Sequence, residues 1–381
     1  MSNTTASDNS PQHEYQMRLR DRRASAESQA STYRKIGALR LAFFILAAFI
    51  LLRALMGHHN LAWWLIPIAV VSIILLAIHQ RIYKSQRRCI RAAEFYERGL
   101  ARLNGQWADK GQTGIHFQDE QHPFAIDLDI FGRGSLFELI CTARTRAGEE
   151  TLAKWLLAPA EPDEIRARQA AIDELRNRLD LREDLALLGE DLRTGINPVA
   201  LAKWGSAPPI LNSWALRITA AFVALLSAIA IGIWFSGSEL GMRPFLFVLL
   251  IAGFFALWLR ERVMRVVNEV AQPSHDLELL SEVLARFERE DFRAIKLTAL
   301  RAALETNGQA PSKQIARLHT LTAWLDARLN MAFRPISAPF LWTTQFAFAV
   351  EAWRKRSGPL VARWLEAIGE IEALCALAGY A

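Results

Sequence analysis

The side chains that could do chemistry in this chain are few, and they form no complete catalytic pattern. His116 and His122 flank Asp119 and Glu120, and these residue types can bind a metal ion. Their spacing aligns them neither on a helix nor on a strand, which favours a solvated loop. We therefore predict no catalytic, cofactor-binding or metal-binding residue in the sequence.

Two further groups of polar residues have a structural and a functional interpretation. The His58–His59 pair could sense pH or could simply be polar residues at a membrane interface. Arg144 and Arg146 could contact phosphate. Glu149 and Glu150 are near enough in sequence to form ion pairs with them instead.

The remaining composition excludes several classes of site. No Cys-x-x-Cys or Cys/His spacing suggests zinc, so reduced thiols are expected. The sequence has no nucleophile elbow and no Gly-x-x-x-x-Gly-Lys-Ser/Thr loop to bind nucleotide phosphates. The net charge of +6 arises largely beside apolar segments, so it does not predict nucleic-acid binding. The isolated cysteines are Cys89, Cys141 and Cys375.

Two pairs of apolar segments dominate the chain, Leu41–His79 and Trp214–Leu259. A helix of about 20 residues crosses the hydrocarbon core of a bilayer. Arg53 interrupts the first run and the fourth run is short, so both need interfacial residues to reach that length. A very apolar helix pair inside a soluble protein is the alternative. We predict four transmembrane helices in two hairpins, over Leu41–Met56, Leu61–Ile78, Ile218–Phe235 and Pro244–Leu259.

The lysines and arginines lie almost entirely on one side of these hairpins. The tips Gly57–Asn60 and Ser236–Met242 contain neither. Short loops rich in Lys and Arg stay in the cytoplasm, so we predict an inner-membrane, multi-pass protein with both termini cytoplasmic. The predicted regions are a polar basic tail over 1–37, disordered or loosely helical, hairpins over 38–80 and 212–260, and cytoplasmic helical regions over 81–211 and 261–381.

The segment after the first hairpin has the most specific local pattern. Asp127–Ile130 alternates polar and apolar residues, which favours a short extended segment, and a Gly-Arg-Gly turn follows. Ser135 is placed to cap a helix. A break at Ala147–Gly148 precedes a second helix, and a third begins near Pro162.

The rest of the soluble sequence favours helices, and we find no convincing strand beyond short pieces around Gly114–Ile130. The fold class is therefore mainly α. Pro273 is expected to break the helix that follows the second hairpin. The predicted helices are Leu181–Leu201, Glu261–Glu290 with that break, Asp291–Glu305, Ser312–Leu329 and Thr343–Lys355.

Several spaced elements occur in a fixed order between Asp127 and Arg193. They are Ser135-Leu136, Thr142-Ala-Arg-Thr145-Arg-Ala-Gly148, Leu152-Ala-Lys-Trp155-Leu-Leu-Ala-Pro159 and Ile165-Arg-Ala-Arg168. In this order they resemble the core domain of the MutS mismatch-repair family. The run Trp364–Tyr380 resembles the family helix that leads into the ATPase domain. Glu149-Glu150 stands where the family usually has arginine, which indicates a divergent branch.

The resemblance implies a function that the residues alone do not. In the family, an ATPase domain binds ATP and Mg²⁺, and the core couples this to binding of mismatched DNA. The hairpins occupy the place where the family core extends helices toward a DNA clamp. Without a phosphate loop the chain is not expected to hydrolyse ATP alone, and a fragment of a longer protein is the favoured interpretation.

The expected partners follow from these interpretations. They are the membrane, DNA, and either a second copy of the chain or another protein bound through the cytoplasmic helices. The alternative function is a non-enzymatic membrane scaffold that binds a cytoplasmic protein partner.

Overall fold

The computed structural model describes residues 10–56, 63–192, 197–237, 241–305, 308–327 and 337–381. Within these ranges the chain is mainly α-helical and has no β-strand, which confirms the predicted fold class. It divides into two compact units. The first is formed by Met1–Thr113 with Gly132–Leu139, and the second by Gly114–Phe131 with Ile140–Ala381.

The described α-helices are numbered in chain order. They are α1 (Pro11–Leu55), α2 (Leu65–Leu103), α3 (Leu136–Ile140), α4 (Arg146–Leu157), α5 (Pro162–Arg176), α6 (Leu179–Leu192), α7 (Pro198–Ser206), α8 (Trp214–Phe235), α9 (Arg243–Glu288), α10 (Ile295–Leu304), α11 (Pro311–Asp326), α12 (Trp342–Ser357) and α13 (Val361–Tyr380).

Helices α1 and α2 form an antiparallel hairpin in the first unit. At its polar end the rings of Tyr15 and Tyr96 meet edge to face, with centres 5.7 Å apart. Nearer the apolar end the rings of Tyr33 and His79 stack at 4.2 Å. Aromatic contacts of this kind add to the burial of apolar surface. The two helices therefore stay paired well beyond the apolar part of the hairpin.

Residues 11–37, expected to be disordered or loosely helical, are regular helix and continue into the apolar part of α1. Tyr15 and Leu19, near the start of this polar stretch, are buried and give it an apolar contact with α2. Gly99 makes room for the Tyr15 ring, since a Cβ there would lie 2.7 Å from a ring carbon. Packing on α2, rather than sequence hydropathy, orders this part of the chain.

The predicted extended segment Asp127–Ile130 is wrong. Residues in this stretch form successive turns, with Ile130 N–H donating to the Ala125 carbonyl at 3.0 Å. Asp129 has a φ of 46°, a left-handed conformation that turns the chain. None of the described residues forms a strand with which an extended segment could pair. The predicted cap is confirmed, since Ser135 Oγ accepts from Glu138 N–H at 3.2 Å.

The core of the second unit is built around the second half of α9. Leu277, Leu280 and Phe287 are fully buried, and this face of α9 packs against α6, α11 and α12. Helix α13 packs against α4, α5 and α7, with Trp364 buried at its start. Both halves of the predicted cytoplasmic region contribute to one hydrophobic core.

The start of α10 also differs from its prediction, Asp291–Glu305. The Glu174 carboxylate of α5 accepts from the backbone N–H groups of Arg293 (3.0 Å) and Ala294 (2.7 Å). Burial opposes ionisation of Glu174, but these bonds and Arg178 hold its pKa below the ordinary value. Residues before Ile295 are thereby held outside the helix, as in an N-cap supplied by another element.

Helix α9 is continuous from Arg243 to Glu288, so the break predicted at Pro273 is wrong. Proline removes one backbone hydrogen bond and crowds the preceding turn, which costs about 3 kcal/mol in a helix interior. Here Val270 and Leu277, on either side of Pro273, are both buried in the core. Tertiary packing on both sides outweighs the local penalty.

This continuity predicts the effect of removing the proline. Pro273→Ala should raise the stability of the chain by about 1–3 kcal/mol, because alanine restores the backbone N–H and relieves the crowding. Thermal unfolding in detergent, followed by circular dichroism, measures the change. A lower unfolding temperature for Pro273→Ala would contradict a continuous α9 and show that one helix ends and another begins at Pro273.

Four helices, α1, α2, α8 and α9, are long and apolar enough to cross a membrane by length and composition. Their large apolar side chains point outward. Phe44 is 74% exposed, Phe222 57% and Phe254 75%. This finding is unfavourable to the alternative of helices buried inside a soluble protein, because so much exposed apolar surface would aggregate in water. The tip Gly57–Asn60 lies outside the described residues, as does part of the tip Ser236–Met242.

A buried ion pair on α12 holds the connection from α7 into α8 through hydrogen bonds to its backbone. Arg354 and Glu351 lie 3.0 Å apart, each 2% exposed. Glu351 also accepts from Ile210 N–H at 2.7 Å, and Arg354 donates to the Pro208 carbonyl at 3.0 Å. Because both charges are also hydrogen-bonded to backbone, the connection has a fixed path into the apolar helix α8.

Candidate functional site at the start of helix α4

Helix α4 begins directly after an irregular segment, residues 141–145, and Thr145 is its N-cap. The Thr145 side chain accepts a hydrogen bond from Gly148 N–H at 3.0 Å. This bond satisfies one of the N–H groups that the first turn of a helix leaves unpaired. The predicted break at Ala147–Gly148 is therefore wrong: both residues belong to the first turn, and the chain breaks before it.

A carboxylate from α13 binds the same turn. Glu372 accepts hydrogen bonds from Thr145 N–H (3.0 Å), from the Thr145 hydroxyl (2.5 Å) and from Arg144 N–H (3.3 Å). The residue is only 6% exposed, and these three bonds offset part of the cost of removing water from its charge. The contact joins positions 227 residues apart in the sequence.

Two glycines let α4 and α13 approach each other at this contact. A Cβ on Gly148 would lie 2.8 Å from the Cβ of Glu372 and 2.9 Å from that of Ala143. A Cβ on Gly369 would lie 2.8 Å from the backbone oxygen of Ala147. Larger residues would push the helices apart. We call this contact the α4–α13 junction, formed by Arg144, Thr145, Gly148, Gly369 and Glu372.

Burial dominates the ionisation of groups near the junction. It raises the pKa of Glu372 to about 7, although hydrogen bonds from Thr145 and Arg144 favour the charged form. Burial also raises the pKa of the Cys141 and Cys375 thiols to about 12. Protonated thiols are poor nucleophiles and poor metal ligands. The junction is thus suited to holding two helices together rather than to covalent chemistry.

A second contact fixes the other end of α4. The Arg168 guanidinium lies 3.9 Å from the ring centre of Trp155, a cation–π arrangement, and pairs with Glu164 at 2.7 Å. Lys296 of α10 pairs with Glu164 and with Glu370 of α13, each at 2.8 Å. Helices α5, α10 and α13 are therefore tied together beside the end of α4.

The histidines considered from the sequence do not come together. His122 Nε2 lies 3.0 Å from the Leu157 carbonyl oxygen, and His116 packs on the ring of Phe117. Among the residues that the structure describes, no three His, Cys, Asp or Glu side chains are placed to hold a metal ion. The His58–His59 pair lies outside the described residues.

Arg144 and Arg146 both form contacts within the folded chain. Arg146 pairs with Glu150 at 2.8 Å, which agrees with the ion-pair alternative for this arginine, while Arg144 is buried and contributes its backbone N–H to the junction. All three cysteines are free.

Sequence reasoning missed Glu372. Its signal was present, because Ile371, Ala373 and Leu374 around it are all apolar, and a carboxylate inside an apolar helix is usually buried and paired.

The junction predicts a pH dependence of stability. The pKa of Glu372 in the folded chain lies above its ordinary value of 4.5, so the stability that protonation adds is full below pH 4.5 and is lost as the pH rises through about 7. Between about pH 5 and about pH 8, the native chain should lose up to about 3 kcal/mol more stability than Glu372→Gln. Unfolding in detergent across this range measures the difference. Parallel pH profiles would contradict the burial of an ionisable Glu372.

A family comparison covers most of these features. The family model of MutS domain III matches residues 125–323, just over half of the chain. The matched range contains the α4 side of the junction, the contact between Trp155 and Arg168, and all of α8 and α9. Comparisons with curated proteins and with solved structures give no match. The chain belongs to the MutS family through its domain III, the family's core domain.

Proposed function

We propose that this protein is a membrane-anchored MutS-like protein, whose core couples a nucleotide-dependent change in the complete protein to the binding of DNA. The hairpins hold it in the inner membrane, with both termini and the core on the cytoplasmic side. The family assignment and the four apolar helices support this proposal.

The main structural support for this proposal is that α9 is one unbroken helix. Its first half, near Leu250, exposes large apolar side chains, and its second half, from Val263 to Phe287, lines the core. A helix of 46 residues is about 70 Å long at 1.5 Å per residue. Because no break separates the two halves, a rotation of the core would move the apolar half with it.

The position of the second hairpin supports a role within the core domain. Helix α8 and the apolar half of α9 lie inside the range that matches MutS domain III. The hairpin therefore lies inside the range that matches the family domain and not at one end of it. It stands where the resemblance places the helices toward the DNA clamp, so the membrane takes the place of part of that clamp.

ATP and Mg²⁺ are proposed as ligands of the complete protein. The sequence has no phosphate loop, so these ligands would bind an ATPase domain outside this chain. Helix α13 resembles the family helix that leads into that domain. Glu372 would then transmit its movements to α4 through the α4–α13 junction.

Salt-dependent DNA binding tests the proposal. The chain would be reconstituted in lipid nanodiscs and titrated with homoduplex, mismatched and branched DNA, with empty nanodiscs as the control. We expect submicromolar binding that weakens steeply with salt and prefers one DNA structure. The mass of the loaded nanodisc shows at the same time whether the chain is a dimer. No binding to any DNA would contradict a DNA-binding core and favour the membrane scaffold.

A further inference from the structure

A cavity of about 260 Å³ lies between α8, α11 and α12 and is lined by four cations. We call it the cation pocket and define it by Arg217, Lys313, Arg317 and Arg356. All four side chains are exposed, and none forms an ion pair with a carboxylate of the described residues. Four like charges around one concavity repel one another, so an anion bound between them would relieve that repulsion.

The floor of the pocket is fixed by hydrogen bonds. Gln314 is buried, its amide donates to the Gln309 carbonyl at 3.1 Å and its side-chain oxygen accepts from the Ser357 hydroxyl at 2.9 Å. The Trp353 indole donates to the Gln314 carbonyl at 2.7 Å. The α11 and α12 walls are therefore joined before any ligand arrives, which lowers the cost of binding.

The pocket lies at the beginning of the apolar helix α8. Arg217 follows the exposed Trp214 by one helical turn, and the exposed Trp324 lies one turn beyond Leu321 in the pocket wall. Tryptophan beside cations is typical of the headgroup level of a membrane. Ser227, about 15 Å further along α8, donates to the Pro339 carbonyl at 2.7 Å. The chain near α12 therefore follows α8 beyond the pocket, into its apolar part.

We propose that the cation pocket binds the phosphate headgroup of an anionic phospholipid from the leaflet that faces the core. Arginine donates pairs of hydrogen bonds to phosphate oxygens, and the pocket offers three arginines and a lysine. A zwitterionic lipid brings its own ammonium group, which these cations repel. The acyl chains would lie on the exposed apolar face of α8. The assignment rests on the second hairpin spanning the membrane, as in the proposed function.

Lipid retention by matched variants tests this site. The pocket variant is Lys313→Gln/Arg317→Gln/Arg356→Gln, and Arg217 is left in place at the start of α8. The control variant is Arg260→Gln/Arg262→Gln/Arg265→Gln, which removes three exposed cations from α9 directly after its apolar half. Both variants lose the same charge. Each protein is placed in nanodiscs of equal parts phosphatidylcholine and phosphatidylglycerol, released, and weighed by native mass spectrometry with its bound lipids.

We expect the native chain and the control variant to retain phosphatidylglycerol over phosphatidylcholine. The pocket variant should lose this preference about tenfold, or about 1.4 kcal/mol, since it loses charge-assisted hydrogen bonds to the bound phosphate that the control cations do not make. Equal retention of phosphatidylglycerol by all three proteins would contradict a specific lipid site in the cation pocket. An equal loss in both variants would contradict it too, because it would show non-specific attraction of anionic lipid by positive charge. Circular dichroism of each protein checks that the substitutions leave the helices intact.

Two further experiments distinguish a lipid phosphate from a soluble phosphate and from the phosphates of DNA. If inorganic phosphate raises the unfolding temperature of the native chain in pure phosphatidylcholine, but not that of the pocket variant, the ligand is a soluble anion and the lipid assignment fails. If the pocket variant loses DNA binding while keeping its lipid preference, the site serves nucleic acid instead. Failure of the chain to enter nanodiscs would overturn the membrane anchoring itself, which the lipid ratio does not measure.

Discussion

Gly148→Ala is expected to destabilise the folded chain by about 2–4 kcal/mol, although alanine normally stabilises a helix relative to glycine. The added methyl group would lie 2.8 Å from the Cβ of Glu372 and closer still to its carboxylate. The carboxylate would have to leave the N–H groups of Thr145 and Arg144, and buried donors without partners are costly. Thermal unfolding in detergent measures the loss.

A double-mutant cycle identifies the cause. If the methyl group acts partly by displacing the Glu372 carboxylate, then Gly148→Ala should cost less in a Glu372→Ala background than in the native chain. The remaining cost comes from the Cβ atoms of residue 372 and Ala143, which stay 2.8 Å and 2.9 Å from the added methyl. Gly253→Ala is the matched control, because a Cβ at Gly253 meets no atom within 4 Å. Additive losses in the cycle, or an equal loss for the control, would show that the junction is not the source of the effect.

Leu250→Arg is expected to impair membrane insertion by about 3 kcal/mol, because an arginine near the centre of a spanning helix is costly in lipid. Leu250 lies in the middle of the apolar half of α9 and is 73% exposed. In a soluble protein the same exposed arginine would be harmless and would improve solubility. The fraction of chain that remains with membranes after carbonate extraction measures insertion.

The control for this substitution lies on the same helix. Ala271→Arg places an arginine on an exposed position of α9 beyond its apolar half. It should leave membrane retention unchanged. If Leu250→Arg and Ala271→Arg behave alike, α9 does not cross the membrane in its first half.

The four long apolar helices and the mainly α fold follow from the sequence because long apolar runs permit few structures. A run such as Ile218–Phe235 has no charge to place in water, so a helix in lipid is the simple solution. The cap at Ser135 was equally readable, because it depends only on residues within one turn.

Where the structure is not evident from the local sequence, it depends on contacts with residues far away in the chain. Pro273 stays helical because α9 is packed on both sides of it, and residues 11–37 are ordered by α2. The first turn of α4 contains Gly148, which reads as a helix break from the sequence alone. It is glycine because Glu372 approaches from a position 224 residues later.

The candidate site was foreseen only in its parts. The residues Thr145, Gly148, Trp155 and Arg168 were each recognised as elements of a family pattern. Their physical roles depend on partners in α10 and α13, and the sequence does not show which carboxylate meets which turn.

Hydrogen–deuterium exchange in nanodiscs tests whether α9 is one continuous helix from its apolar half into the core. We expect slow exchange without interruption from the apolar half, through Leu259 and Val263, to Phe287, if one helix connects membrane and core. A fast-exchanging break between Leu259 and Val270 would separate the spanning part from the core. It would contradict the proposal that this MutS-type core moves as one body with its membrane anchor.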